Sequence, residues 1–220
     1  MSIKLKFIFW LVKMLPASII ANQARKPSGL FGKKIMSPMF EAANRELNQF
    51  MLACWKKAPN QDVLEIGFGP GQTFPDILKK IPKGKLIGVD FSKDMVNLAT
   101  TRYKSEVDEK TMELYQATIE SLPLADNTVD TILTANTLYF WPNPKENIKE
   151  CHRVLKYGGQ LIIGFRTKEQ MAVLNLDYSV FTPYTFDDVE KLLTNSGFQN
   201  VTIKKKAAEP FESYCAIAIK

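Results

Sequence analysis

Val63-Leu64-Glu65-Ile66-Gly67-Phe68-Gly69-Pro70-Gly71-Gln72-Thr73 is followed, nineteen residues past Gly71, by a second apolar run that closes on Asp90. The first stretch reads as a strand that breaks into a glycine loop and then a helix. The second reads as a further strand ending in an acid. An acid about 20 residues past such a loop is placed to accept from both hydroxyls of a ribose. The ligand expected here is therefore a nucleoside.

The finer spacing narrows the choice. Dinucleotide sites use G-x-G-x-x-G, whose third glycine lets a helix close in under a pyrophosphate. Here the glycines are Gly67, Gly69 and Gly71, and position 72 is Gln. The phosphate-cradling G-x-x-x-x-G-K-[ST] pattern is absent from the chain. Glu65 puts a carboxylate at the strand end, where it would repel phosphates but suit a cationic ligand. S-adenosylmethionine, with a ribose, a sulfonium, an ammonium and no phosphate, meets these conditions.

At these residues the chain resembles a known family. Val63 to Gly71 look like the first motif of class I S-adenosylmethionine-dependent methyltransferases, and Gly88-Val89-Asp90-Phe91-Ser92 like the second. Ile119-Glu120-Ser121-Leu122-Pro123-Leu124-Ala125-Asp126-Asn127-Thr128-Val129-Asp130 resembles the A-E-x-L-P-F-x-D-x-x-F-D stretch of the type 11 subgroup, which includes the ubiquinone/menaquinone-biosynthesis methyltransferases. His152 to Gly159 resembles its R-V-L-K-P-G-G turn, and Phe181 to Phe198 its last helix and turn. The resemblance covers roughly residues 60 to 205 and rests on motifs in the same order.

Periodicity and turn residues give the layout. Strands are predicted at 61–66, 85–90, 112–117, 128–135 and 160–165, and near 198–205 and 211–219. Helices are predicted at 72–80, 93–104, 143–155 and 185–195. Alternating strands and helices with right-handed crossovers make an α/β, doubly wound, mainly parallel sheet. The resemblance implies seven strands in the order 3-2-1-4-5-7-6, the last antiparallel. Ligands of such sheets bind at the carboxyl ends of the strands. Ahead of this domain (38–220), residues 1–37 form a basic, amphipathic N-terminal extension. Residues 38–57 read as a helix with Phe40, Ala43, Leu47, Phe50, Met51 and Cys54 on one face.

The resemblance assigns roles. Gly67, Gly69 and Gly71 let the backbone approach the methionine part of the cofactor. Glu65 serves the ammonium or fixes the loop, and Asp90 takes the ribose. Phe91 and Met95 would line adenine, with helix core as the other reading of Met95. Thr118 stands where the subgroup usually has an acid for the adenine amino group; a hydroxyl accepts the same bond without charge assistance. Ile119 would offer its amide, and Asn136 lies beside the methyl group. Ala135 to Pro144 overhangs that group, and Tyr139, Phe140 and Trp141 make an aromatic rim. Tyr139, Phe140 and Tyr178 are the expected substrate contacts.

Methyl transfer from a sulfonium is an in-line displacement, so alignment and a dry pocket are the main requirements. A carbon or oxygen target needs a base; Tyr139, Tyr178 and Tyr184 are candidates. His152, the only histidine, reads as structural. No metal site is expected.

Charge and composition bound the partners. The 220 residues are 45% hydrophobic and 24% charged, with a net charge of +6. The first 40 residues hold seven basic residues and no acid, leaving −1 for the rest. A neutral catalytic domain argues against nucleic acid. Cys54, Cys151 and Cys215 match no zinc or disulfide spacing, which points to a reducing cytoplasm. Within residues 3–20 the unbroken apolar run, Phe7 to Val12, is far shorter than the roughly 20 residues of a membrane span. Two readings of this segment stand: a cover for the active site, or a peripheral contact with lipid headgroups. The expected acceptor is a small molecule such as a lipid, quinone precursor or other amphiphile. The alternatives are an RNA or protein methyltransferase, a silent cofactor-binding protein, and, less consistent with the glycine spacing, a nicotinamide reductase.

Overall fold

β1 (Asp62–Ile66) lies at the centre of a seven-stranded sheet, between β2 (Lys85–Asp90) and β4 (Val129–Ala135). The computed structural model describes residues 15–172, 176–207 and 212–220. β3 (Met112–Gln116) pairs outside β2, and β5 (Leu155–Phe165) outside β4. β7 (Ser213–Ile219) and β6 (Gln199–Lys206) complete the order 3-2-1-4-5-7-6. β1 to β5 are mutually parallel, and β7 runs antiparallel to both neighbours.

Both faces of the sheet are buried, as the apolar runs require. Side chains alternate across it, so successive residues join different cores. Val63, Leu86, Leu133 and Ile162 pack on one side with Phe74, Ile77 and Ala99, which come from α3 (Phe74–Lys80) and α4 (Lys93–Arg102). Leu64, Ile87, Ile132 and Leu161 pack on the other with Ile148, Val154, Val189 and Leu193, from α6 (Pro144–Val154) and, beyond the short α7 (Lys168–Ala172), α8 (Phe186–Thr194). A capping box between Thr185 and Asp188 starts α8.

The N-terminal part begins, among described residues, with α1 (Ala17–Arg25). A short helical stretch Gly29–Phe31 and a π-turn Gly32–Met36 run without a break into α2 (Ser37–Cys54). The boundary expected between residues 37 and 38 thus falls inside a continuous helical run. α2 packs on β4, β5 and β7 through Leu47, which meets the backbone at Gly164. The apolar stretch Phe7 to Val12 lies outside the described residues.

Three boundaries differ from the sequence reading. The glycine loop continues as turns through Thr73, so α3 starts at Phe74. The helix expected over 93–104 stops at Arg102, and α5 (Lys104–Asp108) starts beyond Tyr103. That break drops the Tyr103 ring beside Phe74, at 5.3 Å between centroids, and its hydroxyl donates to the Gly71 carbonyl at 2.7 Å. The turn expected after α6 is instead the start of β5. There Gly158 N–H donates to Lys220 O and Lys220 N–H to Gly159 O, each at 3.0 Å.

Ile132 is fully buried at the middle of β4, between Leu64 of β1 and Leu161 of β5. Replacing it by alanine should cost about 2–5 kcal/mol in denaturant unfolding, with the slope unchanged. A loss well under 1 kcal/mol would mean the two cores are not organised on this sheet as described.

Candidate active site

The carboxyl ends of β1, β2, β4 and β5 open into one cavity of about 690 Å³. Its near end is lined by Glu65, Gly67, Gly69, Asp90, Phe91, Thr118 and Ile119. Its far end is lined by Asn44, Asn136, Tyr139, Phe140, Arg166 and Phe181.

The glycine loop explains the near end. Gly67 has φ 69° and Gly69 φ 56°, in the left-handed region that L side chains rarely adopt. A Cβ at Gly67 would lie 2.4 Å from Thr137 Cγ2, whereas Gly69 has open space beside it. The loop is tied to Asp90: Gly69 N–H donates to Asp90 Oδ2 and Ser92 N–H to Oδ1, each at 2.8 Å. A carboxylate has about four acceptor positions. Two remain for the paired hydroxyls of a ribose. Burial raises the Asp90 pKa, and these amides and nearby Lys26 oppose the rise.

Glu65 is buried at the end of β1 and accepts a short hydrogen bond from the Thr73 hydroxyl. Burial, and secondarily the Asp90 charge, push its carboxyl up to about 8 against the Thr73 bond. Such a group gains from a cation placed beside it. Two buried carboxylates facing an open backbone loop therefore fit the ribose and ammonium of S-adenosylmethionine. Phe91 lines the cavity with Lys26 Nζ 5.3 Å from its ring centroid. Thr118 is exposed on the cavity wall and Ile119 buried in it.

The N-terminal part closes this end. Ser92 Oγ donates to Pro27 O at 2.9 Å, Gly29 N–H donates to Asp94 Oδ2 at 2.8 Å, and Lys33 pairs with Asp94 at 2.8 Å.

Several expected residues sit elsewhere. Met95 does not line the cavity; it is fully buried and accepts a hydrogen bond from Ser37 Oγ at 3.4 Å, so it joins the start of α2 to the core. Gly71 also lies off the wall, packed against Phe74 and Tyr103. Tyr178 is 55% exposed and turned outward, because Asp177 caps a tight turn through Ser179 N–H. Leu176 and Phe181 reach the cavity in its place. Tyr184 is buried away from the cavity wall. His152 stands edge-on to Phe198, also outside the cavity.

Tyr139 reaches the cavity with its hydroxyl engaged by the backbone. Its buried hydroxyl accepts from Arg166 N–H and faces Asn136 Oδ1 at 3.2 Å and Arg166 O at 3.3 Å. Burial raises its pKa far above the ordinary tyrosine value. Tyr139 instead positions Asn136, which holds φ 56° and donates from Nδ2 to Asn44 Oδ1 at 2.8 Å. Thr73, Asn44 and Arg166 escaped the sequence reading. Thr73 stood two residues past the glycines, but Asn44 and Arg166 reach the site only through tertiary packing.

The profile of the family described as "Methyltransferase domain" matches residues 64–163. The uncharacterized methyltransferase YdaC of Bacillus subtilis is 31% identical over 179 residues, covering 81% of this chain and 94% of that protein. The chain belongs to the S-adenosylmethionine-dependent methyltransferases. The ubiquinone/menaquinone biosynthesis C-methyltransferase UbiE of Geotalea daltonii is 27% identical over 137 residues, 58% of each chain. A solved SAM-dependent methyltransferase from Aquifex aeolicus has the same fold, with a TM-score of 0.69 at 24% identity over 84% of this chain and 96% of that one. The methyltransferase takes S-adenosylmethionine as its cofactor, which supplies an electrophilic methyl group. The chain's own part is to bind, align and keep water out.

Glu65 gives this binding a pH signature. In the empty protein its raised pKa means that its contribution to stability is complete below its ordinary 4.5 and is lost as pH rises through about 8. A ligand ammonium beside it favours the ionised form and releases its proton. S-adenosylhomocysteine binding at pH 7 should therefore release up to about one proton, and its affinity should rise by up to roughly tenfold with each unit of increasing pH until about pH 8. Calorimetry in buffers of different protonation enthalpy reads this, and Glu65→Gln should abolish it. Zero proton release in the wild-type protein would remove Glu65 from the ammonium site.

Proposed function

We propose that this methyltransferase methylates a small, largely apolar or planar acceptor of the quinone-precursor or lipid kind. The observation that carries this reading is the far end of the cavity. Phe140 and Phe181 pack in a tilted pair at 4.7 Å between centroids, with Tyr139 against Phe181 at 6.4 Å. Trp141, Met171 and Leu176 belong to the same apolar cluster and also line the cavity. A chamber of this composition favours flat or greasy surface over a hydrated polymer. The similarity to UbiE, whose name concerns quinone biosynthesis, supports the same class.

The test is transfer of labelled methyl from S-adenosylmethionine into cell fractions. Label should enter the organic-solvent extract, and Asp90→Ala should abolish it. Label confined to RNA or protein would replace the reading with the macromolecular one. No transfer to any fraction would support the silent cofactor-binding alternative.

We also propose peripheral contact with an anionic membrane through the N-terminal part, in a cytoplasmic protein. Leu30 is 73% exposed and Phe31 38% exposed, in a stretch with basic residues and no acids before Glu41. No helix among the described residues is long and apolar enough to cross a membrane. Apolar side chains beside lysines suit the headgroup region. Leu30→Ser/Phe31→Ser should weaken sedimentation with phosphatidylglycerol vesicles several-fold, and deleting residues 1–16 should weaken it further. Equal binding by all three proteins would sink the contact.

A further inference from the structure

The ribose and the ammonium of S-adenosylmethionine have their places at Asp90 and Glu65. The carboxylate sits on the same carbon as the ammonium, so the groups that hold it must stand beside Glu65. The Thr73 hydroxyl is already committed to Glu65 itself. The neighbouring polar side chains are Gln72, the preceding residue of the glycine loop, and Asn48 of α2, and both line the cavity. Asn48 Nδ2 donates to Gln72 Oε1 at 3.3 Å.

This pairing leaves a defined remainder. Among the described residues it is the one hydrogen bond that either side-chain amide makes. A primary amide carries two donor hydrogens on nitrogen and an acceptor oxygen. Here the pair leaves the whole Gln72 NH₂ and the Asn48 oxygen. Turning both amides over would leave the Asn48 NH₂ and the Gln72 oxygen. In either arrangement one NH₂ and one carbonyl stand side by side. A second tie fixes their place: Arg102 Nη1 donates to Pro70 O at 3.0 Å and pairs with Glu41 Oε1 at 3.5 Å. Glu41 and Asn48 are about two turns apart on one face of α2. The helix therefore holds the glycine loop on both sides of Gly71.

Charge decides what such a pair can hold. Glu41, Glu46, Glu65, Asp90 and Glu120 line the cavity against Arg25 and Arg166. Acids outnumber bases, so a ligand of net negative charge is repelled. S-adenosylmethionine carries a sulfonium, an ammonium and a single carboxylate, so its net charge is positive. Its carboxylate calls for donors without charge of their own, because a lysine or arginine beside Glu65 would compete with the ammonium for that carboxyl. An amide NH₂ meets this condition, and its bond to an ionised acceptor is stronger than a bond between neutral groups. Resting on the assignment of Glu65 to the ammonium, we propose that the NH₂ left by Asn48 and Gln72 holds the carboxylate of the cofactor. The carbonyl left beside it can accept from the ammonium, so the pair suits a zwitterion and not either charge alone. Asn48 and Gln72 are then specificity-determining residues: they separate the intact cofactor from nucleosides that have lost part of the amino-acid end.

Full-length protein is titrated calorimetrically with three probes. They are S-adenosylhomocysteine, its decarboxylated form, which keeps the ammonium, and 5′-methylthioadenosine, which has neither group. S-adenosylhomocysteine should bind at least tenfold more tightly than the decarboxylated amine. Asn48→Ala/Gln72→Ala should remove that preference. It should weaken S-adenosylhomocysteine at least tenfold and change the affinity for the amine less than threefold, which also shows that the variant is folded. Asn48→Asp, close to asparagine in shape, should weaken S-adenosylhomocysteine at least tenfold and bind the amine as tightly as the wild type or more so. Equal binding of S-adenosylhomocysteine and the amine by the wild type, equal loss of both in the alanine variant, or a full preference for S-adenosylhomocysteine in Asn48→Asp would each overturn the proposal. Binding of S-adenosylhomocysteine no tighter than 5′-methylthioadenosine would overturn it together with the assignment of Glu65. Failure of the wild-type protein to bind any of the three would instead overturn the cofactor site beneath it, and the inference with it.

Discussion

The bond from Gly69 N–H to Asp90 Oδ2, at 2.8 Å, holds the catalytic edge of the sheet together. It joins the loop after β1 to the end of β2, two adjacent parallel strands whose loops would otherwise move independently. It requires the loop to turn back on itself, which requires positive φ at Gly67 and Gly69. It also requires Asp90 to stay buried with two amides on it, which preserves the orientation of its remaining lone pairs. Glycine spacing and acid are therefore one device: neither holds its shape without the other.

A second constraint follows from the first. Bringing Asp90 into the loop places it near Glu65, and two buried carboxylates disfavour double ionisation. The chain relieves this unequally. Asp90 receives backbone amides and the field of Lys26, while Glu65 receives the Thr73 hydroxyl alone among the described residues and rises to about 8. The difference suits their tasks. Hydroxyl groups call for a steady acceptor; an ammonium calls for a carboxyl that ionises when the cation arrives.

What was legible in the sequence was whatever is encoded locally. Buried parallel strands show as continuous apolar runs, and the glycine loop shows as spacing, so the strands and the placement of Glu65, Gly67, Gly69, Asp90 and Ile119 at one edge were accessible, while the strand order came with the family resemblance. The errors have physical causes. Met95 fits either core or wall because its helix has apolar residues on the side facing both, and Ser37 decides it from far away in sequence. Tyr178 lies in a segment whose direction is set by the Asp177 turn, for which hydrophobic periodicity gives no signal. Asn44 and Arg166 are 122 residues apart in sequence. Only the packing of α2 over β5 brings them together, and neither belongs to a motif.

The same packing explains why the N-terminal part matters to the chemistry. At the near end it is fastened through Pro27, Gly29 and Lys33 to Ser92 and Asp94, just past the ribose-binding acid. At the far end α2 is fastened through Asn44 to Asn136 and through the Ala43 carbonyl to Arg166. One continuous helical run, Gly29 to Cys54, thus spans both halves of the cavity and bonds to the segments that follow four strands, β1 included through Asn48 and Gln72. Methyl transfer depends on alignment between donor and acceptor and on exclusion of water. A roof that touches both binding regions fixes their separation, which neither the glycine loop nor the aromatic chamber could do alone. The N-terminal part is, on this argument, a component of the active site, and its exposed apolar residues put the surface that would meet a membrane on the same segment that closes the cavity.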